Sequence, residues 1–150
     1  MRITIKEIDL ASSQLMGNIK APGYRVRFTS SLATGSAIFV PACSASESIR
    51  GESFDVEVNQ EGIERFAVEP NSFPREVQIT STEREGDYEI VGVITSIVPR
   101  GDNARKAIIT ISVGDALFVI DSDEIGANYP EEGDWVRFVA REVSLWDEAI

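Results

Sequence analysis

The residues best equipped for chemistry in this chain are carboxylates. The stretch "DSDEIGANYPEE", residues 121–132, places aspartate at positions one and three, glycine at six and glutamate at twelve. That is the spacing by which a calcium loop presents oxygen ligands. The match fails at position five, where Ile125 has no oxygen to offer, and at position eight, where Asn128 replaces the usual aliphatic residue. Its flanks read as strands, not helices. The stretch is therefore read as a capped turn followed by an acidic bend, and no metal ligand is assigned. Carboxylate neighbours such as Glu131 and Glu132 would suit acid–base or glycosidic chemistry. With 25 acidic residues in the chain such neighbours are expected, and no catalytic residue is assigned.

Other chemistries lack their reagents. There is no histidine, which removes the commonest general base and metal ligand. The single cysteine, Cys43, cannot form an internal disulfide or a thiolate zinc site. Following the apolar run "AIFVP", it reads as a buried, inert thiol. Glycines stand singly at turns, so no phosphate-cradling loop is present, and no cofactor is assigned.

Arg100-Gly101-Asp102 has the form of an adhesion tripeptide. It stands in "PRGDN", between the apolar runs ending at Val98 and beginning at Ala107. Proline fixes φ, and Gly, Asp and Asn tolerate turn conformations, so the tripeptide reads as a hairpin tip.

Charge is the remaining signal. The formal net charge is −11. Residues 1–85 hold 9 basic and 12 acidic side chains, and residues 86–150 hold 5 and 13. Such a surface repels phosphate backbones and anionic lipid and attracts a basic partner. Lys20, Arg25 and Arg27 are the cations a nucleic-acid site would use. By strand alternation Tyr24 and Phe28 face away from Arg25 and Arg27, whereas a stacking site wants aromatics and cations together. The start, "MRITIKEIDL", reads as neither a secretory signal nor a membrane span, and no run approaches ~18 apolar residues. A cytoplasmic location is expected.

The elements that carry these residues are strands. "YRVRFTS", "ESFDVEV" and "REVQITS" alternate with period two, with Val26 and Phe28, Phe54, Val56 and Val58, and Val77 and Ile79 on the apolar faces. "AIFV" (37–40) and "ALFVI" (116–120) are unbroken apolar runs, expected to be buried on both sides. "GDYEIVGVITSIV" (86–98) carries Gly92, which predicts a bulge or sharp bend. "DWVRFVAREVSLW" (134–146) changes phase after Phe138, which predicts a second bulge or a short terminal helix. Short helical turns are expected at 44–49 and 122–127, and a linker at 68–77.

A weak repeat runs through the chain. "SAIFV" (36–40) matches "DALFV" (115–119), and "GESFDVEV" (51–58) matches "GDWVRFVA" (133–140). The first half reads as strands at 2–9, 23–30, 36–41, 52–58 and 63–69. The second reads as strands at 88–98, 106–113, 116–121 and 134–145. Each half has a helical turn between its third and fourth strands.

This order resembles the OB-fold, a small Greek-key barrel. The resemblance implies an all-β protein of two OB-like halves, 1–72 and 73–150, packed together. It also implies that the loop holding Arg100 and Asp102 can grip a ligand. The second half lacks a clear fifth strand, which residues 75–82 are expected to supply.

Elimination and charge together lead to a non-enzymatic binding protein that engages a basic protein partner, an immunity or inhibitor protein being one concrete form. The candidate binding residues are Asp121, Asp123, Glu124, Glu131, Glu132, Asp134, Arg100, Asp102 and Trp146. A nucleic-acid-binding module and a self-assembling structural subunit are the alternatives.

Overall fold

The computed structural model describes residues 1–71, 75–102, 106–126 and 129–149. Eleven strands and two short 3-10 turns make up the described elements, with no α-helix among them. Among the described residues no helix is long and apolar enough to cross a membrane.

Four strands of the first half, β1 (Arg2–Met16), β2 (Ala21–Ser30), β3 (Thr34–Val40) and β4 (Ser53–Asn59), belong to a closed ring. Its fifth member is β11 (Ser144–Asp147), from the far end of the chain. β11 lies between β3, to which it is parallel, and β4, to which it is antiparallel. β4 then closes on β1. Alternation explains the interior. Val26, Phe28, Phe39, Val56 and Leu145 are each at most 2% exposed, while Arg25, Arg27, Asp55 and Glu57 on the opposite faces are wet. On β1 the buried set is Ile3, Ile5 and Ile8, because an irregularity between Ile5 and Glu7 moves the inward parity by one residue.

The second sheet runs β5 (Gly62–Val68), β10 (Trp135–Arg141), β7 (Tyr88–Pro99), β8 (Ala107–Val113), β9 (Ala116–Asp121). β6 (Gln78–Ser81) adds to the first part of β7. Ile90, Ile94, Ile109, Ile111, Phe118 and Phe138 fill its buried face and are continuous with the ring interior. The expected bend in β7 has two parts. The register shift lies between Ile94 and Ser96, not at Gly92. Gly92 instead permits close approach: a Cβ there would stand 2.7 Å from the Ser112 carbonyl oxygen. The phase change after Phe138 is a break between two strands in different sheets, made at Glu142 with φ +48°, and no terminal helix forms.

The halves are alike but not self-contained. Each has three antiparallel strands, a 3-10 turn (Glu47–Ile49 or Ser122–Glu124), and a fourth strand that returns beside the first. A two-residue link then leads to a fifth strand: 60–61 before β5 and 142–143 before β11. Each fifth strand is delivered to the opposite half. β11 completes the ring, and β5 pairs with β10. The hydrogen bonding therefore crosses the expected boundary at 72/73 twice. Residues Gln78–Ser81, within the expected 75–82 segment, do add a strand to the second sheet as β6 beside β7, and β5 adds another beside β10. The ring closes, whereas β5 and β9, at the two ends of the second sheet, do not pair with each other and leave it open.

Two contacts tie the halves further. The Tyr88 hydroxyl donates to the Ser36 carbonyl at 2.6 Å, over a glycine at 35 that leaves room for it. Arg137 on β10 reaches Glu69 at 2.8 Å and Glu89, anchoring the end of β5. Cys43 is exposed, contrary to expectation. The strand ends at Val40, Pro41 is buried, and the chain has left the core by Cys43.

Candidate functional site

The acidic residues singled out by sequence lie largely around one end of the second sheet. Asp121 ends β9 and caps the 122–124 turn, accepting from the Asp123 amide, while Glu124 accepts from the Asp121 amide at 3.1 Å. This reciprocal capping satisfies the donors at the start of the turn. Arg100, from the 99–107 hairpin, pairs with Asp121 at 2.6 Å, and Lys106 with Asp123 at 3.9 Å. The Asp123 amide bond holds the Asp121 carboxyl below its ordinary value, with Arg100 helping and desolvation opposing. Glu132 accepts from the Ile97 amide, just past the β7 irregularity, and Asp134 accepts from the Glu131 amide.

This cluster is thus engaged by turns and ion pairs. Ile125, where a calcium loop needs an oxygen, is buried. Among the described residues no group of three metal-ligating side chains is assembled. Arg100-Gly101-Asp102 forms the bend, with Gly101 at φ +66°, and Asp102 is exposed beside it. Asn103 and Asn128 lie outside the described residues.

Trp146 belongs to a different place. It stands on β11, its indole N–H donating to the Ser144 hydroxyl at 3.0 Å. The tip of the β1–β2 hairpin lies across it. Gly17 has φ +65°, and a Cβ there would come within 2.8 Å of the indole ring, so both backbone and contact require glycine. Beside the ring opens a groove of about 790 Å³. Its apolar lining includes Ile19 from the hairpin and Leu117 and Val119 from β9, exposed by 66%, 55% and 52%. Gln60, in the link after β4, donates to the Val119 carbonyl at 2.8 Å, and its own carbonyl oxygen is buried without a partner.

The rim is acidic. Glu57, Glu61, Asp147 and Glu148 line the groove, and among the described residues no lysine or arginine does. Among the described residues none of these four makes an ion pair. Asp147 accepts from the Ala42 and Ala149 amides, and among the described residues it is engaged with backbone only. The contrast with the 121–134 cluster is direct. There Asp121 and Asp123 are ion-paired, and here none of the four carboxylates is, among the described residues.

Three comparisons bear on identity. No protein-family model matches the chain, and searches of curated proteins and of solved structures found no match.

The cations considered for nucleic acid are partly occupied. Arg25 faces Glu85 at 3.9 Å and Arg27 faces Glu7 at 4.0 Å. Lys20 sits in the hairpin turn at φ +52° and is exposed. Arg25 borders a second hollow of about 400 Å³ with Glu61, Glu85 and Glu142 on its walls, so acids outnumber the arginine there.

Leu117 and Val119 were not legible as site residues. "ALFVI" was expected to be buried on both faces, but Leu117 and Val119 emerge because only the other face of β9, with Phe118 and Ile120, packs on the core. An unbroken apolar run beside "VGD" turn chemistry was the available signal, and it does not say which faces of a strand are covered.

Proposed function

We propose that this chain is a non-enzymatic binding protein that engages a basic protein partner through its acidic surface, in the manner of an immunity or inhibitor protein. The observation that carries the reading is the groove beside Trp146. Its floor is apolar, and among the described residues none of its four carboxylates makes an ion pair. Exposed apolar clusters of this kind mark interaction surfaces, and a one-signed rim steers an oppositely charged partner. The ring supports an OB-like description, since a five-stranded barrel whose fourth strand returns beside the first is a Greek-key arrangement. On that description the molecule is a pair of OB-like units that have exchanged fifth strands.

The OB-like description also favours a second reading, a nucleic-acid module using the β2–β3 face and the first hairpin. The pairing of Arg25 and Arg27 with glutamates, and the net charge of −11, rank it second. Titration of labelled polylysine and of a labelled single-stranded oligonucleotide, each at low and high salt, separates the two. The proposal expects polylysine to bind and to weaken as salt shortens the Debye length below about 10 Å. Binding of the oligonucleotide alone would overturn it.

A further inference from the structure

We propose that the groove beside Trp146, not the 121–134 cluster, seats an extended segment of the partner in which apolar and cationic residues alternate. This rests on the reading of the chain as a receptor for a basic protein. Leu117 and Val119 stand two residues apart on β9 and emerge from the same face. Their separation along the strand is about 6.6 Å. An extended peptide repeats its own side chains at that interval, so apolar residues at i and i+2 match them in register. The intervening side chains point the other way, toward a rim that holds Glu57, Glu61, Asp147 and Glu148.

A long cationic side chain in that position can fold back over the rim, where a carboxylate and the Trp146 indole ring are the groups it would prefer. Trp146 is only half-buried and borders the groove. A cation over such a ring gains from its quadrupole, and a Trp at the centre of an apolar patch is a common energetic anchor. A second copy of this chain is disfavoured as the occupant. Pairing two such grooves would bring eight unneutralised carboxylates together.

The test uses the whole chain carrying Trp135→Phe, so that Trp146 is the only tryptophan, and a short alternating Arg-Val peptide. Binding is followed by Trp146 emission and by calorimetry. The peptide is expected to bind with a change in Trp146 emission. Leu117→Lys, at an exposed position, is expected to weaken binding at least about tenfold by placing a cation on the floor. Glu57→Gln with Glu148→Gln is expected to weaken it about three- to tenfold and to flatten the salt dependence. Asp123→Asn with Glu131→Gln is expected to leave affinity within about twofold.

Binding that is lost with the last pair but untouched by Leu117→Lys overturns the groove assignment and leaves the basic-partner reading standing. Heat of binding with unchanged Trp146 emission also overturns the assignment. Failure of every cationic probe overturns both. A wild-type dimer in sedimentation that Leu117→Lys dissociates assigns the groove to a second copy instead.

Discussion

Truncating Leu145 to alanine tests whether the exchanged strands make the two halves one cooperative unit. Leu145 is fully buried in the ring, opposite Phe39 on β3 and Val58 on β4. Removing its isobutyl group from a packed interior costs about 2–5 kcal/mol, from the lost transfer energy and the cavity left behind. A central value of about 3 kcal/mol is a large part of the 5–15 kcal/mol typical of a domain. At this chain length it lowers Tm by about 6–12 °C. With a urea dependence of about 2 kcal/mol per molar, the midpoint falls by about 1.5 M.

The reporter should sit in the other sheet. Trp135, opposite Val93 of β7, does so, and Trp146→Phe makes it the only tryptophan. Urea melts read by Trp135 emission and by far-UV circular dichroism are compared with and without Leu145→Ala in that background. Coupling through β5 and β11 expects both signals to shift together by about 1.5 M. A Trp135 midpoint that stays in place while circular dichroism splits into two steps would refute the coupling.

Gly92→Ala should destabilise the fold by about 1–3 kcal/mol, because its Cβ would meet the Ser112 carbonyl, a backbone atom locked in the β7–β8 ladder. Thermal melts check this, and a wild-type Tm would show that the strands separate there at little cost. Tyr88 gives a pH dependence. Burial raises its hydroxyl to about 12, with the Ser36 bond opposing and Glu85 adding to the rise. The folded value lies above the ordinary 10.0, so the stabilisation is whole below about pH 10 and is lost as pH climbs through about 12. Urea midpoints measured across that range should fall in the wild type and fall less in Tyr88→Phe, which at neutral pH forfeits about 1 kcal/mol with the hydrogen bond. Parallel curves would contradict the assignment.

Element positions were legible because they follow from local chemistry. Val26 and Phe28 alternate with Arg25 and Arg27, and turn residues such as Gly114-Asp115 and Gly86-Asp87 stand where the strands end. The repeat was visible for the same reason: β3 resembles β9, and β4 resembles β10. Pairing was not legible. The links at 60–61 and 142–143 are equally short, and nothing local says that β5 passes to β10 while β11 passes to β4. Periodicity fixes which face of a strand is apolar, but not its neighbour. The same gap hid Leu117 and Val119, because whether a strand face is covered is decided by residues far away in sequence. The acidic residues were legible as acids, while their ion pairs with Arg100 and Lys106 emerged only once the hairpin was placed.

The exchange also bears on the candidate site. The groove takes Leu117 and Val119 from β9 in the second half, Glu57 from β4 and Ile19 from the first hairpin. Trp146, Asp147 and Glu148 arrive with the exchanged strand and the residue after it. If β11 instead folded back on β10, the aromatic anchor and two of the four carboxylates would leave the groove together. The strand is only four residues long, so its seat depends on Leu145 inside the ring and on the parallel and antiparallel ladders at its two edges. Stability and recognition therefore share one short segment. A substitution that loosens β11 acts on both, whereas one on the rim, such as Glu57→Gln, acts on recognition alone.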